Sequence, residues 1–165
     1  MKKFLILLFV FGFFFQSFGQ ITELPEIELV AVNYKYLDAA GNEDAALPVK
    51  QLQQQVAEYD VRKADFYSDE YDLYTVNFFI PEGKILASYD KDGNLLRTAE
   101  KFKNVALPQV VREAVAKRFP NWNMTEDVYL VNFHDTDKVT KRYKILLENA
   151  DKRMRIKTDE KGNFI

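Results

Sequence analysis

The chain has 165 residues, 47% of them hydrophobic and 29% charged, which is the composition of a globular protein of one domain and too short for a barrel enzyme or two full-sized domains. Its 25 acidic against 23 basic side chains, a net charge of -2, give no overall electrostatic reason to hold phosphates, so no nucleic-acid partner is expected. The absence of cysteine excludes disulfides, thiolate catalysis and cysteine-held zinc or iron–sulfur sites, and a single histidine leaves no histidine-rich metal cluster.

Met1-Lys2-Lys3 is cationic, positions 4–15 are apolar apart from Gly12, and small residues stand at Ser17 and Gly19. This is the layout of a secretory signal peptide over 1–19, with cleavage between Gly19 and Gln20. At a rise of ~1.5 Å per residue the apolar run spans ~18 Å, short of a ~30 Å hydrocarbon core, which disfavours a retained anchor. No cysteine follows for lipid attachment, so a periplasmic or secreted chain with no membrane association after cleavage is expected. Removing Lys2 and Lys3 leaves 21 basic residues against 25 acidic ones.

The mature part, 20–165, reads as a single domain. Thr22-Glu23-Leu24-Pro25-Glu26 is a leader, and 27–37 reads as an opening strand that ends at an Asp38-to-Asn42 turn. Leu47-Pro48 then opens a helix with Val49, Leu52, Val56 and Tyr59 on one stripe, proline standing where its missing N–H costs nothing. The acidic run Asp65, Asp69, Glu70 and Asp72 reads as a solvated loop. Strands are predicted over 71–80, 84–89 and 95–98, separated by Pro81-Glu82-Gly83 and by Asp90-Lys91-Asp92-Gly93-Asn94.

Leu107-Pro108 opens a second helix, carried by Val111, Ala114, Val115, Arg118 and Phe119 and stopped at Pro120. Trp122 reads as an aromatic that closes the core at its end. Strands follow over 127–133, 142–148 and 153–158, with a hairpin around Asn149-Ala150-Asp151, a turn in 135–140, and Asp159-to-Asn163 turning into Phe164-Ile165. Helix then strands occurs twice, over about 27–100 and 105–165. The fold class that follows is α+β: a tandem duplication of a helix-then-antiparallel-strands unit, helices packed on one face of an antiparallel sheet.

Asp90 to Asn94 with Glu100 has carboxylates at alternate positions, but its glycine and glutamate miss the spacing of an EF-hand loop, and a hairpin turn is the better reading. His134-Asp135-Thr136-Asp137 reads as a solvated turn rather than a metal or general-base site. No phosphate loop, dinucleotide fingerprint, nucleophile elbow or His-Glu-x-x-His motif is present, and no cofactor is expected.

The run from Tyr89 through Glu100, then Val105-Ala106-Leu107-Pro108 with Val111 and Val115, then Arg118-Phe119-Pro120-Asn121-Trp122, resembles the exported PepSY-like proteins of Bacteroidetes-type bacteria, whose fold is of the beta-lactamase-inhibitor type. Tyr143-Lys144-Ile145, Lys157-Thr158-Asp159 and Gly162-Asn163-Phe164 extend the likeness, which covers roughly 47–165. It implies a tandem duplication around a concave antiparallel sheet and an exported protein that binds or inhibits rather than catalyses. It carries no inhibitory residue over to a numbered position. The expectation is therefore a non-enzymatic binding module whose partner is an unidentified exported or envelope protein, with Tyr36, Tyr71, Tyr74, Tyr129, Arg142 and Lys144 on its partner-binding face. The alternatives are an envelope hydrolase or small-ligand carrier, which needs a deep pocket holding two acids with displaced pKa values, and a subunit that self-associates through a sheet edge.

Overall fold

The computed structural model describes residues 33–41, 44–136 and 138–165. The expected export signal, the leader and the first part of the expected strand 27–37 lie outside them. Among the described residues the order is α1 (Tyr34–Ala40), α2 (Leu47–Glu58), a short 3-10 turn (Val61–Lys63), β1 (Leu73–Ile80), β2 (Gly83–Asp90), β3 (Leu95–Lys103), α3 (Gln109–Arg118), β4 (Asn123–His134), β5 (Lys138–Asn149) and β6 (Lys152–Asp159). The strands form one antiparallel sheet in the order β1-β2-β3-β4-β5-β6, an α+β architecture. No helix among the described residues is long and apolar enough to cross a membrane.

Helix α1 corrects the strand expected over 27–37 in its described part. Tyr34 and Tyr36 suggest two-residue alternation, but the buried pair is Tyr36 and Ala40, one helical turn apart. Gly41 ends the helix at φ 50° and returns its N–H to the carbonyls of Leu37 and Asp38. The side chain of Asn33 accepts from Leu95 N at 2.7 Å and donates to Gly93 O at 3.3 Å, which ties the start of α1 to the β2–β3 turn.

Helix α2 follows the expected stripe, with Pro48 in its first turn and Val49, Leu52, Gln53, Val56 and Ala57 buried. The Tyr89 hydroxyl donates to Val56 O at 2.9 Å and fixes this helix to β2. Helix α3 buries Val111 and Val115, and stops before Pro120 as the sequence predicts. Trp122 is half-buried against the core, consistent with its expected closing role.

Side chains alternate across each strand, so the register sorts them onto two faces. One face carries the buried set, including Ile85, Ala87 and Tyr89 of β2, Phe102 of β3, Tyr129, Val131 and Phe133 of β4, and Tyr143, Ile145 and Leu147 of β5. Each fully buried valine, leucine or isoleucine in it contributes roughly 1.5–3 kcal/mol. Tyr129 and Tyr143 stand directly opposite and stack at 4.6 Å between centroids.

Two turns repeat one geometry. At Asp90 the carboxylate accepts from the backbone N–H groups of Asp92 (2.9 Å) and Asn94 (2.8 Å) and from Asn94 Nδ2 (2.9 Å), with Gly93 at φ 85°. At Asp159 it accepts from Lys161 N (2.9 Å), Asn163 N (2.8 Å) and Asn163 Nδ2 (2.8 Å), with Gly162 at φ 80°. These carboxylates are committed to backbone N–H groups, as the hairpin-turn reading requires.

Candidate functional site

The expected partner face is only partly where the sequence reading puts it. Tyr36, Tyr74 and Tyr129 are 1%, 5% and 3% exposed and belong to the core, a correction that follows from their parity in the register and, for Tyr36, from its place in α1. Tyr71 is exposed in the loop ahead of β1, its ring edge-on to Tyr74. Arg142 and Lys144 do lie on the exposed face of β5.

That exposed face is far more basic than the chain as a whole. The pleat turns Lys84 of β2 outward, with Arg97, Lys101 and Lys103 of β3. It does the same for Lys138, Arg142 and Lys144 of β5 and for Arg153, Arg155 and Lys157 of β6. Glu126 and Glu148 share the strand faces with them, and Asp90 and Asp159 are engaged in their turns. Among the described residues the one ion pair that a lysine or arginine of this face makes is Arg153 to Glu148 at 2.8 Å. Lys84 stands directly opposite Lys101, and Lys144 directly opposite Lys157, cross-strand arrangements that like charges disfavour.

The charges are ordered as well as numerous. Asn77, Leu86, Ala99, Asn132 and Thr140 are register partners in succession and form an uncharged row across β1 to β5. On one side of it runs the row Ser88, Arg97, His134 and Lys138, and on the other Lys84, Lys101, Leu130 and Arg142. Two depressions of about 550 Å³ and 450 Å³ share Leu86, Ala99 and Asn132, so they join along the uncharged row. The first reaches Arg97, His134 and Lys138 at its rim, and the second reaches Lys84 and Lys101. His134, the last residue of β4, and Asp135, in the turn after it, are exposed and paired at 2.6 Å; the turn is shorter than the expected 135–140, because β5 begins at Lys138. No group of three or more metal-ligating side chains occurs among the described residues.

Sequence reasoning missed the polar centre on the opposite face. Glu100, 3% exposed, accepts from the Tyr36 hydroxyl at 2.6 Å, the Thr98 hydroxyl at 2.7 Å and Gln53 Nε2 at 2.7 Å. Burial pushes its carboxyl above the ordinary value, against these three hydrogen bonds and the field of Lys141. The signal was present: with Thr98 and Phe102 pointing inward, Glu100 between them has to point inward too. Asp127 also has its pKa raised by burial. It sits four residues along β4 from Val131, the register partner of Glu100, hence roughly 13 Å away along the strand at ~3.3 Å per residue. The two displaced acids therefore do not converge on one cavity. No protein-family model matches the chain, and no curated protein matches it significantly.

Proposed function

We propose that this protein is an exported, non-enzymatic protein-binding module of the PepSY-like, beta-lactamase-inhibitor-like type, and that the exposed sheet face receives an exported or envelope protein. The observation that carries the reading is a broad face of outward Lys and Arg side chains of which, among the described residues, Arg153 alone is ion-paired, a surface whose charges are left without internal complement. The separation of Glu100 from Asp127 favours a binder over a hydrolase, because paired-carboxylate hydrolysis needs its two groups within about 10 Å. The reading includes a duplication in which α2, β1, β2 and the Asp90 turn correspond to α3, β5, β6 and the Asp159 turn, with helices on the side away from the exposed face. The matched turn hydrogen bonds support it. The basic start and apolar run of 1–19 support export.

The test is a pull-down from envelope extract with the mature chain and with its Arg142→Glu/Lys144→Glu variant, both shown folded by circular dichroism. Both side chains are exposed, so the variant leaves the core intact. Proteins retained by the unmodified chain are expected to be lost from the variant, and equal retention by both overturns the reading.

A further inference from the structure

Resting on that reading, we infer that the uncharged row and the two basic rows beside it form a trough that binds an extended acidic peptide segment of the partner. The dimensions come from the register. Arg97 and Lys101 lie four residues apart on β3, and Lys138 and Arg142 four apart on β5, which is ~13 Å along each strand at ~3.3 Å per residue. β4 lies between these strands, so the two pairs are ~10 Å apart at ~4.8 Å per strand spacing. Four cations thus stand at the corners of a rectangle whose floor is Ala99, Asn132 and Thr140.

An extended chain crossing the strands along that floor sends successive side chains to opposite sides. Consecutive Asp or Glu residues then reach the Arg97 and Lys138 side and the Lys101 and Arg142 side in turn. The floor suits a peptide backbone: Ala99 is short enough to allow close approach, and the Asn132 amide and Thr140 hydroxyl both donate and accept hydrogen bonds. A nucleic acid is disfavoured because the rectangle offers no row of stacking platforms: Phe133, which lines the first depression, is 5% exposed and belongs to the buried face, and the exposed ring of Phe79 stands outside the rectangle, on β1 opposite Lys84. The chain's net charge of -2 makes the face a local reversal of sign, so an acidic segment is drawn to it while the rest of the surface repels it.

The experiment titrates a fluorescein-labelled, end-blocked octapeptide of Asp and Glu into the mature chain at low salt. A Ser/Gly octapeptide, an oligodeoxythymidine and a sulfated polysaccharide serve as comparisons. Arg97→Glu/Lys101→Glu is expected to weaken the acidic peptide at least tenfold. The charge-matched Arg153→Glu/Arg155→Glu, on the same face but outside the trough, is expected to weaken it less than threefold. Equal weakening by both variants, binding no tighter than the Ser/Gly peptide, or tighter binding of either other polyanion overturns the inference. If the inference fails while the pull-down still depends on Arg142 and Lys144, the binding face stands and only its acidic-peptide specificity is lost. If the pull-down itself is insensitive to them, the face is lost.

Discussion

Replacing Glu100 by glutamine removes a charge from the most deeply buried carboxyl among the described residues while keeping its shape. In the native protein that carboxyl accepts three hydrogen bonds, each worth about 1.5–3 kcal/mol when the acceptor is charged. Against them stands the cost of holding an ion away from water, several kcal/mol after relaxation. The balance leaves the native pKa above the ordinary value of 4.5, so the native state binds more protons than the unfolded one in the interval between the two. The Glu100 contribution is therefore complete below about pH 4.5 and is lost as pH rises through the native pKa. One proton limits the slope to about 1.4 kcal/mol per pH unit. Urea unfolding at half-unit steps from pH 4 to pH 8 measures it. Glu100→Gln should match the unmodified chain within about 1 kcal/mol at pH 4, where both side chains are neutral, then gain on it as pH rises and level off at the native pKa. A difference that stays constant, or that shrinks with pH, would show that the three donors outweigh burial and refute the reasoning.

Two further outcomes follow from the same geometry. Burial raises the phenols of Tyr36, Tyr89, Tyr129 and Tyr143 above their ordinary value of 10.0, that of Tyr143 to about 12. Stability should hold below pH 10 and fall above it, with these four ionising as far-ultraviolet circular dichroism is lost. Full tyrosine absorbance at 295 nm with an intact spectrum would contradict this. Gly93→Ala and Gly162→Ala impose similar strain at φ 85° and 80°. The new Cβ at 162 would lie 2.9 Å from Ala114 Cβ and 3.0 Å from Val110 O of α3, whereas at 93 it meets the far end of the Arg62 side chain. Gly162→Ala should cost about 1–3 kcal/mol more than Gly93→Ala in thermal unfolding, and equal losses would mean that α3 does not pack as closely on this turn as described.

The sequence was most legible where structure is local. Leu47-Pro48, Leu107-Pro108 and the Asp-to-Gly-Asn turns announce their elements because the causes lie within a few residues: a proline in a first turn, a glycine at positive φ. Helix α1 was misread because its decisive partner is distant, the Tyr36 hydroxyl meeting Glu100 across 64 positions. The basic face is half visible in the spacing of Arg142 and Lys144 or of Arg153, Arg155 and Lys157. Its rows emerge only when register aligns β2 through β5, which no single strand encodes. Whole-chain charge misled for a related reason: a net of -2 averages away a face on which one sign predominates.

The strand order has a consequence for how the molecule forms. Every strand pairs only with its immediate predecessor and successor in the chain, so each of the five ladders closes over a short loop except β3 to β4, which spans α3. Loop-closure entropy is then small at four of the five steps, and contact order is low for a sheet protein. The ladder with the largest loop to close is the β3–β4 seam, where Glu100 faces Val131 and Ala99 faces Asn132. The donors that seat the buried carboxyl, Tyr36, Gln53 and Thr98, all precede that seam in the chain, so a chain paired only on one side of it would keep Glu100 satisfied and its hairpins closed while lacking the aligned uncharged row from Asn77 to Thr140.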